Sequence, residues 1–208
     1  MNCDHLAPFY RTMELLSAGG KLQRCRMEFL AEIPTPRRIL LAGEGHGRCL
    51  PECVRRFPSA RITVIDSSRK MLEIARRKTA ADHIDFIHAN LLKWDGPPGT
   101  FDLIVTNFFL DCFNPEELAI VVSKLGTFAT PAADWLLADF EIPPNGLARL
   151  RSRAIIGILY PFFRITTGLQ THALVPPEEF LATAGFTRQH HRTHDWGLLK
   201  SEWWRREL

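Results

Sequence analysis

Short apolar runs alternate with segments of helical period along most of the chain. Residues 39–41, 61–65, Ile84–His88, Phe101–Asn107 and 135–140 gather large and β-branched apolar side chains over lengths that suit strands buried on both faces. Between them the period changes. Residues 50–57 follow the first run as a helix. Residues 67–77 follow the second, with Ser67 or Ser68 placed to cap them and Met71, Leu72 and Ala75 on the face turned to the sheet. A third helix opens at Asn114 and Pro115 and runs to about Phe128. Five strand–helix alternations predict an α/β fold with a doubly wound, mostly parallel seven-stranded sheet. Residues 187–193 and 198–204 supply the last two strands, an antiparallel C-terminal hairpin joined around Asp195, Trp196 and Gly197.

Two segments fall outside this alternation. Residues 5–17 and 21–32 read as helices broken at Gly19 and Gly20, with Leu6, Phe9, Met13 and Leu16 on one apolar face and Pro34 and Pro36 closing the second. They suggest an N-terminal helical lid over residues 1–33, with Tyr10 as a candidate contact; plain core packing is the alternative. Residues 147–163 interleave Arg149, Arg151 and Arg153 with apolar side chains and then turn almost wholly apolar. Within 145–177 this predicts a substrate cap, or a helix laid on the sheet with snorkelling arginines, and it permits peripheral membrane contact. Residues 176–184 read as a short helix ended by Gly185.

Composition narrows the classes. A chain of 208 residues, 46% hydrophobic and 24% charged, has the length of one domain, read here as residues 1–208, and enough apolar material for a full core. No apolar run reaches the length of a membrane span. The N-terminus lacks the basic and apolar stretches of a secretory signal, so a cytoplasmic location is expected. Cys3, Cys25, Cys49, Cys53 and Cys112 are scattered; Cys49 and Cys53 share a helix face but have no histidine at zinc-site spacing. Reduced thiols and no metal are expected. Residues 1–144 carry 17 Lys and Arg against 18 Asp and Glu, whereas residues 145–208 carry 9 against 5. So small an excess is no nucleic-acid footprint, but it suits an anionic substrate or a membrane surface near the C-terminal third.

The candidate chemistry follows the first run. In RRILLAGEGHGRC (residues 37–49), Gly43, Gly45 and Gly47 stand at alternate positions, where the backbone turns tightly and a ligand can approach it. The next strand ends on Asp66, where a doubly wound sheet hydrogen-bonds ribose hydroxyls. Together these read as a nucleoside-binding unit. A dinucleotide fingerprint would place its third glycine where Arg48 stands, which argues against a nicotinamide cofactor. Asn90 lies just past the third strand, positioned to meet the base. Thr106, Asn107, Phe108, Phe109 and Phe113 lie at or after the end of the fourth, where strand order should reverse and the reaction centre is expected.

The Gly43-x-Gly45-x-Gly47 pattern resembles the first motif of the class I methyltransferases that use S-adenosylmethionine. Residues 7–10 (APFY), 64–76 (VIDSSRKMLEIAR), 101–111 (FDLIVTNFFLD) and Gly185-Phe186 extend the likeness over most of the chain. More narrowly, it is similar to the branch that includes the ubiquinone/menaquinone-biosynthesis methyltransferases. The resemblance implies a Rossmann-like fold and S-adenosylmethionine as cofactor, with S-adenosylhomocysteine as product. It implies that Gly43, Gly45 and Gly47 line the methionine and ribose side, that Asp66 binds the ribose, and that Asn90 replaces the usual adenine-facing aspartate. Tyr10, Glu44, Ser67, Met71, Leu91, Asn107 and Phe108 complete the expected cofactor set. Two departures remove negative charge: Asn90 itself, and Leu41 where the family often carries an acid two positions before the first glycine.

Methyl transfer from a sulfonium discharges a cation, so a carboxylate on the sulfur would stabilise the ground state more than the transition state. Aromatic faces and carbonyl dipoles suit the task better. A base is needed only for some acceptors; Asp111, Tyr160 and His172 are the catalytic candidates, with Asp139 and Glu141 also after strand ends. His190, His191 and His194 read as surface. The expected acceptor is a small apolar or aromatic molecule methylated on oxygen or carbon. A cofactor-binding protein without chemistry, an RNA or protein methyltransferase and, more distantly, an oxidoreductase are the alternatives. No nucleic-acid partner is expected, and the sequence does not specify an oligomeric state.

Overall fold

Side chains that alternate between two apolar faces draw the predicted runs together as strands. The computed structural model describes residues 20–79, 81–167, 171 and 173–207. Strands β1 (Arg38–Ala42), β2 (Arg61–Asp66), β3 (Ile84–His88), β4 (Phe101–Asn107) and β5 (Ala129–Phe140) are parallel. Strands β6 (Phe186–His194) and β7 (Leu199–Arg206) join antiparallel, giving the order β3-β2-β1-β4-β5-β7-β6. The helices are α1 (Lys21–Met27), α2 (Leu50–Arg56), α3 (Arg69–Lys78), α4 (Pro115–Phe128), α5 (Gly146–Thr167) and α6 (Glu178–Thr183). Tyr10, His172 and residues 1–19 of the expected lid lie outside the described residues.

Strand parity sorts the core into two layers. Leu40 and Ile104 face one side with Leu118, Leu125 and Trp135, while Ile39, Leu41, Leu103 and Val105 face the other with Leu50, Phe57 and Ile62. A third, smaller cluster joins α1 and α5 to the end of the sheet through Cys25, Ala138, Ile156, Tyr160 and Leu199. From β1 the chain winds outward through β2 and β3, then returns to β4 on the other flank of β1. Such a reversal leaves a crevice over the strands' C-terminal ends.

Helix starts follow their caps. Ser68 accepts the Met71 N–H, and Asn114 forms a reciprocal capping box with Glu117. Three boundaries differ from expectation. α1 stops at Met27, after which turns carry Phe29, Leu30 and Ile33 into the core. β5 begins at Ala129, well before Trp135, because pairing with Phe101 recruits an alanine-rich segment that has no strand pattern of its own. α5 runs through Pro161 to Thr167; the proline removes one helical N–H but does not end the helix. Among the described residues no helix is long and apolar enough to cross a membrane.

Candidate functional site

β1 delivers the chain into the glycine loop, where Gly43, Gly45 and Gly47 have φ of +68°, +62° and +74°. Two of them also answer to crowding. A Cβ on Gly43 would lie 2.0 Å from Cδ2 of Phe109, and one on Gly47 would lie 3.0 Å from the Cα of Ala75 in α3. Gly43 therefore admits an aromatic ring against the loop, and Gly47 admits a helix beneath it. Asp66 locks the arrangement: its Oδ2 accepts the Gly45 N–H at 2.9 Å and its Oδ1 the Ser68 N–H at 2.8 Å. A carboxylate offers about four acceptor directions, so this one also has capacity for hydroxyl donors from a ligand. Glu44 turns toward α2, its Oε1 accepting the N–H groups of Cys49 at 2.6 Å and Leu50 at 2.9 Å. Burial pushes the Glu44 carboxyl up to about 7. One turn into α2, Cys53 holds its thiol 3.5 Å from that of Cys49, both buried and unbridged.

A cavity of about 250 Å³ opens over the reversal between β1 and β4. Of the expected cofactor set, Gly43, Glu44, Gly45, Asp66, Ser67, Met71, Asn90, Leu91, Asn107 and Phe108 line it; Gly47 does not. The Oδ1 of Asn90 accepts the Leu92 N–H at 3.0 Å, so that oxygen holds its own turn. The Nδ2 of Asn107 is buried with no hydrogen-bond partner among the described residues, a donor that lacks an acceptor. Phe108 has φ of +53°, unusual for a bulky residue. Its N–H is fixed by the Ala138 carbonyl at 2.7 Å, and its ring lies under the Arg26 guanidinium at 4.9 Å. Thr106, expected at the reaction centre, instead points into the core and accepts from Trp135 Nε1 at 2.8 Å.

Sequence reasoning missed several wall residues. Cys112 and His46 line the cavity and sit beside predicted positions in the chain, so the loop spacing could have found them; Phe109 and Phe113, expected near the reaction centre, line it too. Arg26 reaches the wall from α1, and nothing local in the sequence announces it.

Asp111 and Tyr160 meet, the tyrosine hydroxyl donating to the Asp111 carbonyl at 3.3 Å. Both are buried and neither lines the cavity, although Cys112, whose thiol donates to Asp111 Oδ1 at 3.5 Å, does. Burial raises the Asp111 carboxyl to about 6 and moves the Tyr160 phenol far above its ordinary range, so the phenol stays protonated. Asp139 is 1% exposed and its Oδ2 has no hydrogen-bond partner among the described residues. Burial and the neighbouring Asp111 push its carboxyl well up. His190 and His191 are exposed on β6; His194 is half-buried, bonded to Ser201 Oγ at 2.9 Å. Among the described residues no three His, Cys, Asp or Glu gather closely enough to hold a metal ion.

The family described as a methyltransferase domain matches residues 39–131, from β1 to the start of β5. A solved structure of the 1,6-didemethyltoxoflavin-N1-methyltransferase of Burkholderia thailandensis, with 1,6-didemethyltoxoflavin and S-adenosylhomocysteine bound, aligns with a TM-score of 0.70 at 17% identity, covering 99% of this chain and 86% of that one. The fold is that of the class I methyltransferases. Trans-aconitate 2-methyltransferase of Rhodopseudomonas palustris (strain BisB18) is 40% identical over 82 residues, 38% of this chain and 31% of that protein. Malonyl-[acyl-carrier protein] O-methyltransferase of Halalkalibacterium halodurans is 37% identical over 110 residues, 50% of this chain and 40% of that protein. The chain thus spans well under two thirds of these relatives' length. Within the methyltransferase fold, the glycine loop, Asp66, Asn90 and Asn107 all fall inside the matched segment, while α5 and the terminal hairpin fall outside it.

Proposed function

We propose that this chain is an S-adenosylmethionine-dependent methyltransferase acting on a small molecule. One arrangement carries the reading: the Asp66 carboxylate at the end of β2, bonded to an amide of a left-handed glycine loop, on the wall of a cavity at the sheet's reversal point. The wall fits an adenosyl ligand. A carboxylate suits the two ribose hydroxyls, Met71 and Leu91 offer apolar contact to a base, and the Asn107 amide is a donor for a ligand oxygen. When bound, S-adenosylmethionine supplies a methyl group on a positively charged sulfur. The rings of Phe108, Phe109 and Phe113 line the cavity, and aromatic rings can hold a cation without neutralising it. Gly43, Asp66 and Asn107 fix the cofactor's place, and in-line positioning of this kind supplies on the order of 7–11 kcal/mol in well-oriented cases.

The same three rings favour a small apolar or aromatic acceptor methylated on oxygen or carbon, in keeping with the sequence's likeness to the quinone-biosynthesis branch. A carboxylate-bearing acceptor is the second reading. Arg26 stands buried in the wall, 4.9 Å from the Phe108 ring, and two of the relatives are named for acidic acceptors. Where the acceptor carries a proton, Asp111 is the group that finally receives it, by way of Cys112: the cavity-lining thiol takes the acceptor's proton as it passes its own to Asp111 Oδ1, and Tyr160, bonded to the Asp111 carbonyl, is a positioning residue.

Titration calorimetry with S-adenosylhomocysteine, then turnover of S-adenosylmethionine with panels of quinols, phenols and di- or tricarboxylates, tests the proposal. Binding followed by product release with one panel is expected. Binding without turnover on any acceptor would favour a cofactor-binding protein, the role that Leu41 and Asn90 suggest, and failure to bind S-adenosylhomocysteine would overturn the reading.

A further inference from the structure

Helix α5 turns an apolar stripe toward solvent along its whole length. Leu147, Leu150, Ile158 and Ile165 are 81%, 68%, 75% and 87% exposed. With Ala154 and Pro161, they recur every three or four residues through the 22-residue helix. The opposite face is an ordinary one: Ser152, Ile156 and Tyr160 are buried, the latter two against Ala138, Leu198 and Leu199. Among the described residues none of α5 lines the cavity, so the stripe is not explained by contact with it.

Charge indicates what covers the stripe. α5 carries Arg149, Arg151, Arg153 and Arg164 and neither Asp nor Glu. Arg149, Arg153 and Arg164 follow one flank of the stripe at helical spacing and are exposed. Arg151, on the other flank, is bonded to Asp195 at 3.0 Å. That contact sets Trp196, 74% exposed, beside the first turns of α5. A contiguous apolar strip bordered by one sign of charge is rarely left in water. Apolar side chains below, cations at the rim and an adjacent tryptophan are the layers of a helix lying in a lipid interface. We propose that α5, with Trp196, lays this stripe into an anionic lipid surface. At 1.5 Å per residue the helix lies flat over roughly 33 Å, which places the α5 side of the protein against the membrane.

The proposal stands apart from methyl transfer, and S-adenosylhomocysteine titration reports on that reading separately. Sedimentation of the full chain with phosphatidylcholine vesicles, with and without phosphatidylglycerol, is the test. Capture by the anionic vesicles alone is expected, weakening as salt rises. Leu150→Gln with Ile158→Gln should abolish capture, and Arg153→Gln and Arg164→Gln should each weaken it about fivefold. Unchanged S-adenosylhomocysteine affinity and thermal midpoint would show these surface variants to be folded. Equal capture by neutral vesicles, no capture at all, or capture indifferent to the stripe variants would overturn the proposal. So would a dimer, seen by sedimentation equilibrium without vesicle binding, that the same variants dissociate.

Discussion

The Asp66 carboxylate accepts from two main-chain amides on different elements, so it holds the glycine loop and the approach to α3 to the end of β2. Asp66→Asn keeps the side chain's size but removes its charge and part of its acceptor capacity. Hydrogen bonds to charged groups contribute roughly 1.5–3 kcal/mol. S-adenosylhomocysteine affinity is therefore expected to fall about ten- to a hundredfold by calorimetry; unchanged affinity would put the ribose elsewhere. Gly43→Ala is a harsher change, since its Cβ would enter the Phe109 ring and its φ of +68° resists any side chain. Left-handed strain of this sort costs roughly 1–3 kcal/mol. Phe109→Ala in the same chain should relieve the clash but not the strain. A double-mutant cycle of urea midpoints is expected to show partial rescue, and no coupling would mean that ring and loop do not touch.

Element by element, the site is held by side chains capping helix starts, and Glu44 is the least expected of them. Its carboxylate receives both the Cys49 and Leu50 amides at the head of α2. Glu44→Ala would leave those amides unmet and is expected to cost about 1–2 kcal/mol in urea unfolding. Glu44→Gln retains an acceptor oxygen and should lose less than half as much; equal losses would deny the cap. How far the sequence foretold these positions depended on distance along the chain. Gly43, Gly45 and Asp66 were legible because a loop and the following strand carry their own spacing. Thr106 was misread although the signal existed: it shares strand parity with Ile104, which faces the core under Trp135. Arg26 and the packing of Gly47 on Ala75 were not legible, because each contact joins elements whose spacing only the closed fold sets.

Across the whole molecule, buried acids tie stability to pH. Burial raises Glu44 to about 7 and Asp111 to about 6, and burial together with Asp111 raises Asp139. An acid whose folded value is raised keeps its proton in the native state after the unfolded chain has released it. Native protein then binds more protons than unfolded protein between roughly pH 4 and 7, so stability falls as pH climbs through that window. Each group contributes at most about 1.4 kcal/mol per pH unit. His194 pulls the other way below its ordinary value, because burial lowers it and the unfolded chain takes up that proton first. Asp195, lowered chiefly by Lys21 and Arg151 against its own desolvation, loses its stabilising effect only in stronger acid. Three raised acids against one partly exposed histidine leave a net effect of several kcal/mol, on the order of 4, in favour of about pH 5 over about pH 8. Urea midpoints at the two values measure it. Glu44→Gln with Asp111→Asn should flatten the difference, because neither amide titrates; a midpoint higher at about pH 8 would mean that these carboxyls are solvated in the native protein.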